Sequence, residues 1–237
     1  MVYKVKLLKK EVVADDTMAF HLEKPVNFDF IAGQNADFTL INPSETDEEG
    51  DKRTFSFVNA PYEKNLVIST RMRDTAFKRN LKKLAISTEV KLDGPYGDFK
   101  LHKNEAIPAV FIIGGIGITP VHSIISEATH NKLARNITLF YSNRTPDDAA
   151  FINDLEDFEK NNPNFTFVPV FTKISIQKNE GERGHINENI INKYVSDLSL
   201  PIYYLSGPSS MVKVMRQVLI DIGIDEDNIR TEQFSGY

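Results

Sequence analysis

A short apolar segment that runs into three glycines constrains this chain more than any other feature. The segment reads VFIIGGIGITP from Val110 to Pro120, and its apolar start is typical of a buried strand. Glycines allow a tight turn and a close approach of a ligand to the backbone. We expect a helix to begin here, with Thr119 as its cap and Pro120 at its first position. A strand that turns into a helix start presents backbone N–H groups to an anion, so a nucleotide phosphate site is favoured over an ordinary turn. The last glycine of the dinucleotide pattern G-x-G-x-x-G is replaced by Pro120.

Composition and charge exclude several classes of function. The chain has 237 residues, enough for one large or two small domains. Residues 1–103 carry 17 Lys+Arg and 16 Asp+Glu, and residues 104–237 carry 11 and 17, so neither half has the positive charge of a nucleic-acid-binding protein. The absence of cysteine excludes disulfides, cysteine nucleophiles and cysteine-ligated zinc or iron–sulfur clusters. The five histidines lack metal-ligand spacing, so no metal site is predicted. No signal peptide or membrane-spanning run is recognisable, and we expect a cytoplasmic protein.

The first hundred residues alternate between apolar and polar side chains, as antiparallel strands do. Turn residues separate six such runs, which predicts a β-barrel or sandwich. One stretch, Thr75–Leu84, has helical periodicity instead, and the acidic segment Glu45–Asp51 is expected to be an exposed loop. The predicted strands are Tyr3–Val13, Met18–Leu22, Asn35–Ile41, Thr54–Val58, Leu66–Thr70 and Glu89–Leu92.

From Ile107 onward, apolar strands alternate with helices, which predicts a doubly wound parallel sheet. The sequence therefore predicts two domains: an antiparallel β-barrel with one helix over residues 1–103 and an α/β domain over residues 104–237. Gly223 is expected to end the last helix. The predicted strands are Ala109–Ile113, Ile137–Ser142, Thr166–Phe171, Ile202–Leu205 and Asn228–Glu232, and the predicted helices are Pro120–Lys132, Asp147–Asn161, Asn187–Asp197 and Met211–Ile222.

Two segments of the first half are candidate ligand sites. Arg53 and Phe55 share one face of a strand, where they could offer a cation to a phosphate and an aromatic surface to a flat ring. The alternative is a surface arginine beside a core phenylalanine. The helix start at Thr75–Phe77, with Arg71, Arg73 and Lys78 nearby, forms a second potential anion site. Its alternative is a solvated, charged helix end.

Five motifs occur along the chain in a recognisable order. They are RTFS at Arg53–Ser56, RDTAFKRNL at Arg73–Leu81, GPYGDF at Gly94–Phe99, GGIGITP at Gly114–Pro120, and a closing motif made of LSGPSSM together with EQFSGY. Together they resemble the ferredoxin–NADP reductase-like flavoprotein family, in which an FAD-binding barrel precedes an NAD(P)-binding domain. The resemblance covers essentially the whole chain.

The resemblance implies roles for matching residues. Arg53 is expected to bind the flavin diphosphate, Phe55 to pack on the isoalloxazine ring, and Ser56 to hydrogen-bond near flavin N5 as the residue that most influences the rate. Ser206 stands where many relatives have a cysteine beside the nicotinamide. The other expected flavin contacts are Thr54, Arg71, Thr75, Ala76, Phe77 and Lys78, with Glu232 and Phe234 in a tail that closes over the flavin edge. The expected nucleotide contacts are Gly115, Gly117, Thr119, Ser142, Arg144, Gly207, Pro208 and Met211.

The implied activity passes electrons from NAD(P)H through bound FAD to a separate one-electron acceptor, such as ferredoxin or flavodoxin, or to a small molecule. Ser142 and Arg144 favour NADPH, whereas Asp147 and Asp148 favour NADH. Two alternatives remain: a reductase of free flavin, and a flavin-binding electron-transfer subunit of a larger complex. A basic helix face is a candidate docking surface for an acidic partner, although it could equally be an ordinary solvated face. Its residues are Lys78, Arg79, Lys82 and Lys83.

Overall fold

A computed structural model describes residues 2–173 and 181–234. The chain divides into two compact units. The first contains the residues up to Lys100 together with Thr119–Glu127, and the second contains Leu101–Ile118 and the residues from Ala128 onward. The predicted boundary after Lys103 lies close to the first of these divisions, but the sequence did not indicate that Thr119–Glu127 would group with the N-terminal residues.

The first unit is built on a six-stranded antiparallel sheet in the order β4-β3-β6-β1-β2-β5. Alternating half-buried and buried residues along β3 show the periodicity that the sequence indicated. Beyond the end of β4, the Val58 N–H donates to the Val67 carbonyl at 2.8 Å, so the two edge strands meet and the predicted barrel is confirmed. The strands are β1 (Val2–Ala14), β2 (Thr17–Glu23), β3 (Asn35–Leu40), β4 (Lys52–Ser56), β5 (Asn65–Arg71) and β6 (Glu89–Tyr96), and helix α1 covers Ala76–Lys83.

The second unit contains a six-stranded parallel sheet in the order β10-β9-β8-β7-β11-β12. All six residues of β7 are buried, because this apolar strand lies at the centre of the sheet. The predicted α/β class is therefore confirmed. The strands are β7 (Ala109–Gly114), β8 (Ile137–Asn143), β9 (Phe165–Phe171), β10 (Glu182–Arg183), β11 (Ile202–Pro208) and β12 (Ile229–Phe234), and the helices are α2 (Ile118–His130), α3 (Ile152–Asn161), α4 (Glu188–Tyr194) and α5 (Ser209–Asp221).

Helix α2 begins earlier than the sequence predicted. Gly115–Gly117 form a 3₁₀ turn that leads directly into the helix at Ile118. Thr119 and Pro120 are therefore its second and third residues, and the prediction that Thr119 caps the helix was wrong. Proline is tolerated there because the first turn of a helix does not need its backbone N–H groups.

Residues Thr119–Glu127 of α2 are held to the barrel by polar contacts. His122 Nδ1 lies 2.8 Å from the Val58 carbonyl oxygen, and the Ser123 hydroxyl donates to the Asn59 carbonyl at 2.6 Å. The hydroxyls of Tyr62 and Ser126 are 3.0 Å apart. These contacts explain why this part of α2 belongs to the first unit.

The start of α3 and the end of α5 can also be compared with the limits predicted from the sequence. Helix α3 begins at Ile152 instead of Asp147, because Phe151 has a left-handed backbone (φ 61°) that interrupts the helix. Helix α5 ends at Asp221, and Gly223 follows with a φ of 89°, which confirms its predicted role as the terminating glycine. Among the helices in the described part of the chain, none is both long and apolar enough to cross a membrane.

Candidate functional site

The start of helix α1 is an anion site that already holds a carboxylate. Thr75 caps the helix: its extended backbone precedes the first turn, and its Oγ1 accepts the Lys78 N–H at 3.3 Å. The Ala76 N–H donates to Asp47 Oδ2 at 3.0 Å. Asp47 belongs to the acidic loop, residues Glu45–Asp51, so this loop supplies the negative charge that a helix N-terminus favours.

Arg53, on the neighbouring β4 strand, also faces the acidic loop. Its Nη2 donates to Glu49 Oε2 at 2.7 Å, and its Nη1 donates to the Glu49 carbonyl at 2.8 Å. An oxygen of Asp47 lies 3.6 Å from Nη2. The guanidinium carbon lies 5.1 Å from the centre of the Phe77 ring, so Phe77, and not Phe55, provides the aromatic surface beside this cation.

Positive charge converges on this helix start. Burial lowers the pKa of the Lys78 ammonium below its usual value, and the cations of Arg73 and Arg53 act in the same direction. Glu49 opposes that effect by attracting the protonated form. The cluster therefore favours a bound anion, because an anion relieves the repulsion among its cations.

The remaining residues of the RTFS motif have mainly structural contacts. Phe55 is only 9% exposed, and its ring lies 5.9 Å from the rings of both Phe38 and Phe77. Ser56 is buried beside it, and the Thr54 hydroxyl donates to an Asp37 carboxylate. Phe55 is therefore part of the barrel core, and its expected packing on a flavin ring stays a prediction.

In the second unit, the glycines form a tightly packed strand end. A Cβ on Gly117 would lie 2.7 Å from the backbone N and Cα of Gly207, and a Cβ on Gly114 would collide with the side chain of Met211. Gly115 and Gly207 have φ values of 52° and 144°, which side chains disfavour. The close approach of these backbones requires glycine. Because glycine has no side chain, main-chain groups form the carboxyl edge of the sheet at this point.

Two buried polar side chains lie near the carboxyl ends of strands in the same sheet. Ser206 is fully buried on β11, next to Gly207, and its hydroxyl makes no hydrogen bond with any residue in the described ranges. Asn143, at the end of β8, is 7% exposed, and within the described chain neither Nδ2 nor Oδ1 has a hydrogen-bond partner. Buried polar groups normally find partners, so both fit a site that a polar ligand completes.

Comparison with known proteins assigns a family to most of the second half and gives relatives that align with nearly the whole chain. Residues 111–217 match the family described as the oxidoreductase NAD-binding domain. The chain is 26% identical to the reductase component of propane 2-monooxygenase from Rhodococcus jostii over 156 residues, which cover 64% of this chain and 42% of that protein. It is 22% identical to reductase component 1 of terephthalate 1,2-dioxygenase from a Comamonas species over 238 residues, which cover 98% and 68%.

Among solved structures, a ferredoxin NADP+ reductase from Neisseria gonorrhoeae with bound FAD and NADP has the same fold, with a TM-score of 0.82 and 21% identity over 98% of each chain. Residues 111–217 therefore belong to the oxidoreductase NAD-binding domain family, and the chain as a whole has the fold of a ferredoxin–NADP reductase. It spans about half the length, or less, of curated relatives such as the Rhodococcus protein.

The prediction of an oxidoreductase that uses FAD and NAD(P)H is supported by the match of residues 111–217 to an oxidoreductase NAD-binding domain and by the fold shared with the Neisseria reductase, which holds FAD and NADP. The residues present fit both groups. The Ala76 N–H and the Arg53 guanidinium already bind carboxylate oxygens as they would bind a phosphate, and Lys78 adds positive charge. The Ser206 hydroxyl, which has no hydrogen-bond partner among the described residues, and the glycine-packed strand end fit a dinucleotide.

The residues expected to select the nucleotide lie at the end of β8. Ser142 is half-buried and Arg144 is exposed, and Arg144 forms no ion pair with the residues that the structure describes. The Asp148 carboxylate instead accepts the N–H and hydroxyl of Thr145, at 3.0 and 2.7 Å. Sequence reasoning missed Asn143, whose one signal is a polar residue at the end of an apolar strand.

The other expected contacts are distributed over both units. Thr119 is buried in α2, and Arg71 is half-buried at the end of β5. Glu232 and Phe234 belong to strand β12, in register with Ser206 and Pro208 of β11. The rest of the closing EQFSGY motif, residues 235–237, lies outside the described residues. The roles of all these positions stay predictions.

The basic face of α1 is largely neutralised by acidic residues. Arg79 pairs with Glu45 at 2.6 Å and with Asp74 at 2.5 Å, and Lys83 lies 3.8 Å from Glu45. Lys78 is half-buried at the helix start. Lys82 remains as an exposed lysine of this face, so much less positive charge faces solvent than the sequence suggested.

Proposed function

We propose that this chain is an electron-transferring reductase that takes electrons from NAD(P)H through bound FAD to a separate one-electron acceptor. The observation that carries the proposal is the pair of phosphate-compatible sites in one chain. One is the start of α1, where the backbone N–H of Ala76 and the cation of Arg53 bind carboxylates. The other is the strand end at Gly117 and Gly207.

The residues of the first unit would hold the FAD diphosphate. Thr75 fixes the helix start, so that the Ala76 N–H points to the anion, and Arg53 and Lys78 supply positive charge. When bound, the flavin converts two-electron into one-electron transfer, which no side chain of this protein can do. The protein therefore contributes binding, orientation and charge.

The second unit would hold the pyridine nucleotide. Gly115, Gly117 and Gly207 admit its diphosphate to the backbone because they carry no side chains. Ser206 would give its buried hydroxyl to the nicotinamide end, where relatives have a thiol. Asn143 could hydrogen-bond the ribose or diphosphate from the end of β8. The exposed Arg144 supports NADPH over NADH, since its guanidinium makes no ion pair in the described chain and could bind a 2′-phosphate.

The acceptor is proposed to be a separate one-electron carrier, because this chain has no cysteine with which to ligate a cluster of its own. The relatives named as reductase components of oxygenase systems support this type of reaction. Docking of an acidic carrier at Lys82 and Lys83 is the corresponding partner hypothesis. Charge reversal at both lysines should slow reduction of the carrier at low salt; an unchanged rate would exclude this surface.

One observation favours reduction of free flavin as a second candidate function. The acidic loop occupies the groups that would hold a flavin diphosphate, through Asp47 at Ala76 and Glu49 at Arg53. A flavin that competes with these contacts would be retained weakly and would exchange readily, as a substrate does. Loss of flavin on gel filtration, together with turnover of added FMN or riboflavin, would favour this alternative.

The deciding experiment is an anaerobic absorption titration of the purified protein after incubation with FAD. A bound-flavin spectrum that bleaches on addition of NADH or NADPH would support the reductase assignment, and the more effective nucleotide would establish the preference. A protein that takes up neither FAD nor FMN would overturn the proposal.

Ser56 is proposed to influence the rate of flavin reduction. Ser56→Ala should slow that step in stopped-flow measurements while lowering flavin affinity by no more than about tenfold, because one neutral hydrogen bond contributes only about 0.5–1.5 kcal/mol. Ser69→Ala, which removes the hydroxyl of another buried serine of the barrel, is the control. An unchanged rate of flavin reduction in Ser56→Ala would remove Ser56 from the mechanism.

A further inference from the structure

The acidic loop is anchored at two points on helix α1. Five of its seven residues, Glu45–Asp51, are acidic. At one end, Glu45 pairs with Arg79 at 2.6 Å, and its carbonyl accepts the Asn80 amide at 2.8 Å. At the other, Asp47 and Glu49 reach the helix start and Arg53. The loop is therefore exposed but attached.

The second anchor uses groups that a phosphate would need. The Ala76 N–H, which donates to Asp47 at 3.0 Å, can bind a phosphate oxygen only after the carboxylate leaves. Arg53 is similarly engaged: Nη2 binds the Glu49 carboxylate, and Nη1 binds backbone carbonyls of the same loop. Carboxylate and phosphate oxygens are equivalent acceptors for these donors.

We propose that the acidic loop is an internal competitor for phosphate ligands, and that Asp47 and Glu49 must leave the helix start before a flavin diphosphate binds. This inference rests on the proposed flavin site. The loop thereby sets the affinity and exchange rate of the flavin. The attachment of Glu45 to Arg79 and Asn80 keeps the displaced segment close, so the competition is intramolecular.

The competition has a specific chemical signature. The apparent affinity for a phosphate ligand equals the intrinsic affinity multiplied by the fraction of molecules whose site is not closed by the loop. Riboflavin carries no phosphate and does not need the Ala76 N–H or Arg53, so the loop does not affect its binding. FAD, which carries a diphosphate, is affected most. The closed state is also stabilised by charge, because Glu49 favours the protonated form of Lys78 whereas Arg53 and Arg73 disfavour it.

The test compares two isosteric variants of the full chain. Asp47→Asn with Glu49→Gln removes both competing charges, and Glu48→Gln makes the same type of change at an exposed neighbour. Flavin fluorescence titrations should show FAD binding about three- to tenfold tighter in the double variant than in Glu48→Gln, and riboflavin binding equal in both. Equal FAD affinity in the two proteins would overturn the inference while leaving the proposed flavin site intact.

Hydrogen exchange of the unmodified protein gives an independent readout. The amides of Glu49 and Gly50 donate to Asp47 Oδ1 and to the Asp47 carbonyl, at 3.1 and 2.9 Å. Saturating FAD should accelerate exchange at these two amides and keep Ala76 protected. Slower exchange in the loop would mean that it closes over the ligand, which contradicts the inference. If neither FAD nor riboflavin binds at all, the proposed function fails and the inference fails with it.

Discussion

A side chain at Gly117 should destabilise the second unit by a predictable amount. The Cβ of Gly117→Ala would lie 2.7 Å from the N and Cα of Gly207 and from the carbonyl carbon of Ser206, whereas ordinary van der Waals contact begins at 3.4 Å. All three atoms are backbone atoms, so the 3₁₀ turn or strand β11 must move by about 0.7 Å. Such overpacking costs about 1–3 kcal/mol, and the smaller conformational entropy of alanine in the unfolded chain returns about 0.4–1 kcal/mol.

The expected net loss in the free energy of unfolding is therefore about 1–2 kcal/mol, or a Tm lower by about 2–8 °C for a protein of this size. Urea denaturation followed by circular dichroism measures it. Gly223→Ala is the control: its added Cβ meets nothing within 4 Å, so its cost comes only from the φ of 89°. Gly117→Ala should also weaken NAD(P)H binding, whereas Gly223→Ala should not. A Gly117→Ala protein as stable as the unmodified chain would refute the packing argument.

Burial lowers the pKa of His102, so the unfolded chain takes up a proton before the folded one does, and stability should fall as the pH drops below about 6.5. Urea titrations at several pH values should show this fall diminished in His102→Gln; identical pH dependence in His102→Gln and the unmodified protein would contradict it. Asn80→Ala should cost about 2–3 kcal/mol in urea titrations, because the buried amide accepts from Ser44 and donates to the carbonyls of Glu45 and Ala76; Asn161→Ala, on the surface, should cost less than about 1 kcal/mol. Ser206→Ala should unfold at the same urea concentration or a higher one, since it removes a buried hydroxyl without a partner in the described chain, yet it should bind NAD(P)H more weakly in fluorescence titrations.

Periodicity predicted the fold class because both halves follow simple rules. The alternation along β3 and the unbroken apolar run of β7 require a half-buried strand and a central strand respectively. The first residues of α2 and α3 could not be predicted from periodicity. The left-handed Phe151 and the 3₁₀ turn at Gly115–Gly117 are decided by local packing, which neither propensity nor spacing reports.

The candidate site was predictable as a set of residue types, but not as a set of contacts. The sequence singled out Arg53 and the helix start at Thr75. It could not show that Asp47, about thirty residues before the helix, would accept the Ala76 N–H, because that contact depends on how the chain folds back. The same limitation hid the pairing of Arg79 with Glu45 and the core packing of Phe55.

The assignment of Thr119–Glu127 to the first unit has a consequence for how the chain is made. The barrel strands are complete once β6 ends at Tyr96, yet the partners of the Val58 and Asn59 carbonyls, His122 and Ser123, come after β7. During synthesis the N-terminal barrel therefore emerges before the helix residues that finish it, and the central strand of the other sheet emerges in between. Segments of the two units are therefore synthesised in alternation. Until translation has passed Glu127, the nascent barrel exposes the surface that Thr119–Glu127 of α2 cover in the complete protein.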